Sequence, residues 1–256
     1  MTALLDASGI TKAFAGVRAI NEVSVMVDRG ERVGLIGPNG AGKTTLFNCI
    51  LGVIRPDAGR VVLDGNDISS LAVHERARLG IGRTFQRIEL FLETTVRDHL
   101  LVAERVRQGH GSVWRDLLGR GRPSRDELAA TDRMLELLGL VTLADEPIEQ
   151  LSLGQGRLVE VARALMTRPS LLLLDEPSSG LDGSETTVLA ATLRAVQSES
   201  GFAMLLVEHD VELVSTFTDR CYVLDFGKLI AAGPTAATLA DPHVRAAYFG
   251  TTPEAS

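Results

Sequence analysis

The stretch VGLIGPNGAGKTTLFNCIL, residues 33–51, joins an apolar run to a glycine-rich segment and then to a segment with helical character. Its middle part, GPNGAGKT at residues 37–44, fits the pattern G-x-x-x-x-G-K-[ST] in the strand–loop–helix context that this pattern requires. Glycines let the backbone curl until successive N–H groups converge on the oxygens of a phosphate. The stretch therefore predicts a phosphate-binding loop between a buried strand and a helix.

Two side chains at the end of this loop favour a nucleotide triphosphate with its metal ion. Lys43 can place its ammonium between the β- and γ-phosphates, and Thr44 can offer its hydroxyl to Mg²⁺. The helix that starts there adds the positive end of its dipole. The alternative is a glycine-rich turn with a surface lysine. The predicted nucleotide contacts at the loop are Gly37, Pro38, Asn39, Gly40, Ala41, Gly42, Lys43, Thr44 and Thr45.

The pattern of apolar residues predicts an α/β fold with two additions. Three continuous apolar runs are typical of strands buried on both faces of a parallel sheet, namely residues 33–36, 171–174 and 204–207. The first thirty residues instead alternate apolar and polar side chains, as exposed antiparallel strands do. Residues 96–106 and 127–138 have apolar side chains at helical spacing. We therefore predict an α/β core with an N-terminal antiparallel β subdomain and an inserted helical subdomain.

Composition makes several other classes of protein poor candidates. The net charge of −7 gives no diffuse positive field to hold a nucleic-acid backbone, so we expect no nucleic-acid partner. Cys49 and Cys221 form no metal-binding spacing and are expected to be reduced residues of the core. No apolar run reaches the roughly 18 residues that cross a bilayer, and no secretory signal begins the chain. We expect a cytoplasmic protein that can still dock on a membrane protein.

Acidic and imidazole side chains follow two of the apolar runs. LLLLDEP, residues 171–177, delivers Asp175 to the end of a strand, where it can reach the Mg²⁺ held by Thr44. Glu176 can then polarise the attacking water, although adjacent acids before Pro177 can equally be plain turn residues. His209, in LLVEHD, can donate to the γ-phosphate or hold the base in line. A lone histidine at such a place is more often structural.

Further motifs follow the phosphate loop in a fixed order. RTFQ ends at Gln86, LSLGQ occupies residues 151–155, and SSGLD and LLVEHD follow LLLLDEP. This ordered set resembles the ATP-binding subunit of an ABC transporter over essentially the whole chain. The resemblance implies a P-loop NTPase (RecA-like) core, residues 1–95 and 151–256, with a helical insertion at 96–150. Together these would form one ATP-binding cassette over residues 1–256.

The resemblance also implies a role for residues spread along the whole chain. These are adenine stacking by Phe14, sensing of Mg²⁺ and of the lytic water by Gln86, metal binding by Asp175, base catalysis by Glu176 and switching by His209. Ser152 and Gly154, with Gln155 beside them, would contact the γ-phosphate bound by a second copy of the subunit. Alternatively, Ser152 merely caps a helix over residues 156–165. Leu153 departs from the commonest form of the signature, which has glycine there.

Two longer segments resemble a narrower subgroup, which serves importers of branched-chain and other hydrophobic amino acids. They are GIGRTFQRIELFLETTVRDHLLVA at residues 80–103 and DPHVRAAYFG at residues 241–250. The long basic loop around Trp114 also resembles that subgroup. Urea importers and the lipopolysaccharide-export ATPase share much of this pattern. The resemblance implies a membrane-peripheral place on the inner face, transmembrane permease subunits, a second ATP-binding subunit, identical or related, and a separate solute-binding protein.

The permease would dock near residues 86–95, where the apolar side chains are Ile88, Leu90, Phe91 and Leu92. These four residues can also simply pack the insertion onto the core. Two rival classes remain open from the sequence: a soluble ABC ATPase that acts on ribosomes or DNA, and a nucleotide-sensing module without turnover.

Overall fold

The computed structural model describes residues 3–84, 93–108 and 123–249, and of Tyr248 and Phe249 it describes the backbone alone. The chain divides into two compact units. The first comprises Met1–Ile81, Ser170–Glu176 and Gly201–Ser256, and the second comprises Gly82–Pro169 and Pro177–Ser200. Gln86 and the expected docking residues Ile88, Leu90, Phe91 and Leu92 lie outside the described residues, as do Trp114 and most of its loop.

The N-terminal part of the first unit is an antiparallel sheet with the strand order β2-β1-β4-β5. Its strands are β1 (Leu5–Phe14), β2 (Val17–Val27), β4 (Ala58–Leu63) and β5 (Asn66–Asp67). Ile20, Val23, Val25 and Val27 of β2 are buried, whereas the residues between them are more exposed. Because side chains alternate between the two faces of a strand, this pattern buries one face of the sheet. The predicted antiparallel β subdomain is confirmed.

The second sheet has the strand order β10-β9-β3-β8-β7-β6 and confirms the predicted α/β core. Its strands are β3 (Arg32–Ile36), β6 (Ile81–Arg83), β7 (Leu171–Asp175), β8 (Ala203–Val207), β9 (Arg220–Asp225) and β10 (Lys228–Pro234). The pairs β3/β8, β3/β9 and β7/β8 are parallel, and β9/β10 is antiparallel. The three apolar runs lie in β3, β7 and β8, and every residue of β8 is buried. Continuous apolar runs occur here because both faces of these strands are covered.

Helix α1 (Lys43–Leu51) starts at the phosphate loop and packs into the core that both sheets share. Leu46, Phe47 and Ile50 are fully buried in that core. The remaining helices of the described part of this unit are α2 (Val73–Arg78), α7 (Val211–Phe217), α8 (Thr235–Ala240) and α9 (Pro242–Phe249). The core therefore holds the helix whose first residue is the predicted phosphate-binding lysine.

A buried arginine holds the far end of α1. The Arg76 guanidinium is 1% exposed and donates to the carbonyl oxygens of Cys49 and Ile50 at 2.8 and 2.7 Å. It also donates to Leu71 O and Ser69 O, both at 3.0 Å. The last carbonyl groups of a helix have no partners within the helix, so a cation there both bonds them and complements the dipole. Arg76 thus fixes α1 at the end opposite the phosphate loop.

The second unit is helical in the part that the structure describes, apart from the end of β6. Its helices are α3 (Val96–Gln108), α4 (Arg125–Leu137), α5 (Leu153–Met166) and α6 (Gly183–Ser200), with 3₁₀ turns at Val141–Leu143 and Ile148–Gln150. Helix α3 packs against α4 and α5. This compact unit includes α5 and α6, which the sequence analysis assigned to the core. The proposed boundaries at 96 and 150 therefore stay a prediction.

Two sequence expectations outside the site have clear outcomes. Both cysteines are free and buried, as predicted, and burial raises the pKa of the Cys49 thiol to about 11. Helix α5 begins at Leu153, three residues earlier than the predicted range 156–165, because a capping box at Ser152 starts it.

Among the helices of residues 3–84, 93–108 and 123–249, none is long and apolar enough to cross a membrane.

Candidate active site

The phosphate loop lies against backbone atoms that leave no room for side chains. A Cβ at Gly37, where φ is 152°, would overlap the carbonyl oxygen of Leu224. A Cβ at Gly42, where φ is 103°, would lie 2.6 Å from the carbonyl oxygen of Ala19. Only glycine tolerates both the backbone conformation and the close approach. The loop is therefore seated between β2, which contains Ala19, and β9, which contains Leu224.

The turn between β9 and β10 holds the loop from one side. Gly227 N donates to Ala41 O at 3.0 Å, and Asn21 N donates to Gly227 O at 2.8 Å. Sequence reasoning missed Ala19, Leu224 and Gly227. The signal for Gly227 was available, since a glycine after DF between two strand-like runs is a typical hairpin turn. The partners of the loop could not be read from the sequence, because they are distant along the chain.

Lys43 lies over the loop that precedes it. Its ammonium donates to Gly37 O at 2.6 Å and to Pro38 O at 3.0 Å, and the residue is 6% exposed. Burial lowers the pKa of Lys43, while the nearby carboxylates Glu176 and Asp175 act in the opposite direction. The structure therefore places a partly desolvated cation at the loop within the electrostatic reach of Asp175, the predicted metal ligand, and of Glu176, the predicted base.

Three adjacent parallel strands bring the predicted polar residues to one edge of the sheet. In the ladder, Leu35 of β3 pairs with Val207 of β8, which pairs with Asp175 of β7. The phosphate loop follows β3, His209 follows β8, and Glu176 follows β7. Carboxyl ends of parallel strands meet at the same edge, and ligands bind there in open α/β sheets. The structure therefore brings these predicted residues together.

Glu176 has an unusual backbone conformation. Its φ is 46°, in the left-handed region, and its N–H donates to Val207 O at 2.9 Å. A non-glycine residue in that region is strained, and such strain concentrates at functional sites. The bond to Val207 fixes where the side chain of Glu176 leaves the end of β7. This geometry favours the catalytic interpretation of Glu176 over that of a plain turn residue.

His209 stands beside a buried acid that sequence reasoning did not single out. The His209 side chain is 56% exposed, and its Nδ1 lies 3.8 Å from Oε2 of Glu208, which is fully buried. The same oxygen accepts a hydrogen bond from His209 N at 3.1 Å. A carboxylate at this distance can orient the imidazole. The signal was the position of Glu208 directly after the apolar run of β8, just as Asp175 directly follows the apolar run of β7.

Phe14 lies at the end of β1, opposite Val17 in the hairpin to β2. It is 46% exposed, and the Lys12 ammonium lies 5.6 Å from the centre of its ring. An exposed ring can stack on a planar base. The position is therefore suitable for the expected contact with adenine.

Ser152, Gly154 and Gln155 lie in the second unit, at the start of α5. The Ser152 hydroxyl accepts from Gln155 N at 3.2 Å, and the Gln155 side chain accepts from Ser152 N at 2.8 Å. Ser152 therefore caps the helix, which was the structural alternative. Gly154 packs closely on Glu185, whose Oε1 would lie 2.9 Å from a Cβ at residue 154. A contact with a second copy remains a prediction for these residues.

The available oxygen donors suit a small divalent cation bound together with a nucleotide. In the part of the chain that the structure describes, no group of three histidine, cysteine or acidic side chains could hold a metal ion by itself. Mg²⁺ differs from zinc and calcium in being bound by one or two carboxylates plus phosphates and water. The Thr44 hydroxyl and the Asp175 carboxylate fit that requirement.

A phosphate loop after a central strand of a parallel sheet, with acids at the end of a nearby strand, defines a P-loop nucleotide triphosphatase. The chain belongs to the ABC transporter family, whose sequence model matches residues 20–179, more than half of the chain. It is an ATPase of that family and binds ATP. The predicted family and activity are confirmed.

Curated relatives match nearly the whole chain. BraF of Pseudomonas aeruginosa, a high-affinity branched-chain amino acid transport ATP-binding protein, is 39% identical and is matched over 96% of this chain and 98% of its own. LivG of Escherichia coli K12, which has the same description, is 38% identical with the same coverage. The lipopolysaccharide export ATP-binding protein LptB of Escherichia coli K12 is 36% identical over 97% of this chain and 98% of its own.

Solved structures agree with this family. MJ1267, an ATP-binding cassette of an ABC transporter in its ADP conformation, superposes with a TM-score of 0.87. It is 32% identical, and the match covers 98% of this chain and all of that one. CbiO1 of Clostridium perfringens, part of the ABC transporter complex cbiONQ, has a TM-score of 0.79 at 27% identity, covering 95% of this chain and 93% of its own. The fold is that of an ABC ATP-binding cassette.

Proposed function

We propose that this chain powers the uptake of a small hydrophobic solute, in the first place branched-chain amino acids, through separate transmembrane subunits. The observation that carries the proposal is the near full-length similarity, at 38–39% identity, to two ATP-binding proteins of branched-chain amino acid transport. The chain then acts at the cytoplasmic face of the membrane, where its permease holds it. A separate solute-binding protein delivers the amino acid on the other side.

In this proposal the first unit supplies the hydrolytic machinery. The backbone of residues 37–44 and the Lys43 ammonium hold the β- and γ-phosphates. Thr44 and Asp175 hold Mg²⁺, which neutralises charge on the phosphate oxygens. Glu176 accepts a proton from the attacking water, and His209, oriented by Glu208, donates a hydrogen bond to the γ-phosphate. Phe14 stacks on adenine, while the role expected of Gln86 toward the metal and the water stays a prediction, because that residue lies outside the described part of the chain.

A second copy, or a related cassette, completes the site in this proposal. Ser152 and Gly154 of that partner contact the γ-phosphate through the start of helix α5, where the helix dipole favours an anion. Gln155 acts through the capping box that shapes this helix end. Hydrolysis removes the bridging phosphate, the pair opens, and the membrane subunits change between their two orientations.

A second candidate is ATP supply to lipopolysaccharide export, because LptB is 36% identical over nearly the same length. Import is preferred because the two amino-acid transport proteins are slightly more similar to this chain. Both candidates require the same ATP site. They differ only in the membrane subunits and in the solute.

Transport by the purified complex tests the proposal. The chain is used to isolate its membrane subunits, which are identified by mass spectrometry and reconstituted in vesicles with the solute-binding protein. Labelled leucine, isoleucine and valine are then added outside, with ATP enclosed. We expect ATP-dependent accumulation of these amino acids, and none when Glu176→Gln replaces the wild-type chain.

Urea serves as the control solute in the same vesicles. Accumulation of urea without amino acids would contradict the assigned solute, as would membrane subunits that move lipopolysaccharide.

A further inference from the structure

The end of strand β1 is held by Asp57, the residue that directly precedes the neighbouring strand β4. The Asp57 carboxylate accepts from Lys12 Nζ at 2.7 Å and from Ala13 N at 2.8 Å. Asp57 N also donates to Thr11 O at 2.8 Å. One residue therefore bonds three consecutive residues of β1, those that directly precede Phe14.

Regular strand pairing is interrupted at the same place. The register between β1 and β2 shifts between Ile10 and Lys12 and again between Lys12 and Ala13. Between β1 and β4 it shifts between Ser8 and Thr11. Such irregularities leave backbone groups without ladder partners and bend the strand. Asp57 supplies an acceptor to Ala13, a backbone donor at this bend.

The same contact fixes a cation against the ring of Phe14. The Lys12 side chain is 18% exposed, and its ammonium lies 5.6 Å from the ring centre while it is paired with Asp57. A cation over an aromatic face is attracted by the electrons of the ring. Both donors, first Lys12 and then Ala13, hold the pKa of Asp57 below its usual value, so the carboxylate stays charged at neutral pH.

We propose that Asp57 and Lys12 are positioning residues for Phe14, and that they set the affinity of the site for the nucleobase but not for the phosphates. The inference rests on the proposed stacking of adenine on Phe14. The bend at Ala13 determines where the ring stands, and the Lys12 ammonium keeps the ring from rotating. In the proposal both residues act through Phe14 and not by contact with ATP. An exposed ion pair alone stabilises a protein little, so a role in stability alone explains this pair less well.

The base-dependent part of binding can be measured directly. Dissociation constants of the full-length chain for Mg²⁺-ATP and for Mg²⁺-tripolyphosphate, which has no base, are obtained by calorimetry. Phe14→Ala removes the whole base contact and should raise the dissociation constant for Mg²⁺-ATP about fivefold or more, because the stacking of a base on an aromatic ring contributes that much binding free energy. Asp57→Ala and Lys12→Met should each weaken ATP binding severalfold and leave tripolyphosphate binding within about twofold.

Two further variants separate positioning from a general structural effect. Asp57→Asn keeps an acceptor for Ala13 N but loses the charge that pairs with Lys12, so its effect should be smaller than that of Asp57→Ala. Asp64→Asn breaks the exposed ion pair of Arg29 and Asp64 in the same unit and should change neither constant. Thermal unfolding of every variant is recorded alongside.

Each outcome decides the proposal. If Asp57→Ala weakens ATP and tripolyphosphate equally, Asp57 supports the whole site and the positioning role is wrong. If Phe14→Ala changes the ratio of the two constants but Asp57→Ala does not, only the positioning role fails. If Phe14→Ala leaves the ratio unchanged, the proposed base contact itself fails, and the positioning role fails with it.

Discussion

Lys43→Ala should lower the turnover of ATP on the order of 100-fold or more, if the phosphate loop works as proposed. It should also weaken the binding of ATP. The lysine is 6% exposed, and its ammonium bonds the loop carbonyls of Gly37 and Pro38. Alanine removes the only charge that the loop itself carries toward the phosphates, in surroundings where screening by water is weak. The effect should therefore appear in both binding and catalysis.

The measurement is phosphate release by the purified chain in Mg²⁺-ATP, together with the binding of labelled ATP. Lys228→Ala is the matched control, because Lys228 is an exposed residue of β10 in the same unit. The control should keep the wild-type rate. Equal rates for Lys43→Ala and the wild type would show that the phosphates are bound elsewhere.

Gly37→Ala should destabilise the protein by about 3 kcal/mol or more, because an added Cβ overlaps the backbone oxygen of Leu224. Leu224 pairs with Leu229 of β10, so its carbonyl cannot move aside without disturbing strand pairing. Gly40→Ala is the matched control: its φ is 80°, but nothing lies within 4 Å of the added atom. The control has only the strain of the left-handed backbone, about 1–2 kcal/mol.

Thermal unfolding of the two alanine variants distinguishes these costs. For a chain of this length, 1 kcal/mol corresponds to about 2–4 °C in Tm. Gly37→Ala should therefore unfold several degrees below Gly40→Ala. The same Tm for both variants would mean that the close approach to Leu224 is not what requires glycine at residue 37.

The sequence predicted the central strands with little ambiguity, whereas the polar residues at their ends had both a catalytic and a structural interpretation. The runs in β3, β7 and β8 are apolar at every position because both faces of the strands are covered, so they differ from the alternating β2. Once those strands are parallel and adjacent, their carboxyl ends must share an edge. The proximity of the phosphate loop, Asp175 and His209 follows from that topology.

The parts that could not be predicted depend on pairings between distant segments. Ala19 and Leu224 approach the phosphate loop through their backbone atoms, so their side chains carry no signal. Asp57 bonds Lys12 and Ala13 across 45 and 44 residues, at a bend in β1 that no local pattern indicates. The earlier start of α5 was readable in principle, because Ser152 and Gln155 have the spacing of a capping box.

In the proposed mechanism, Ser152 of one chain completes the ATP site of another. Glu176→Gln removes the proposed base while keeping the phosphate loop, so bound ATP should hold two chains together. Ser152→Ala and Ser124→Ala, each added to Glu176→Gln, form a matched pair. Each serine caps its own helix through a capping box of the same kind. Only Ser152 should also contact the nucleotide.

Size-exclusion chromatography with light scattering makes the test in Mg²⁺-ATP and in Mg²⁺-ADP. We predict that Glu176→Gln is a pair of chains in ATP and a single chain in ADP, that adding Ser152→Ala returns it to the single chain in ATP, and that adding Ser124→Ala does not. A single chain in saturating ATP for Glu176→Gln, or the same loss of pairing for both serines, would contradict the account.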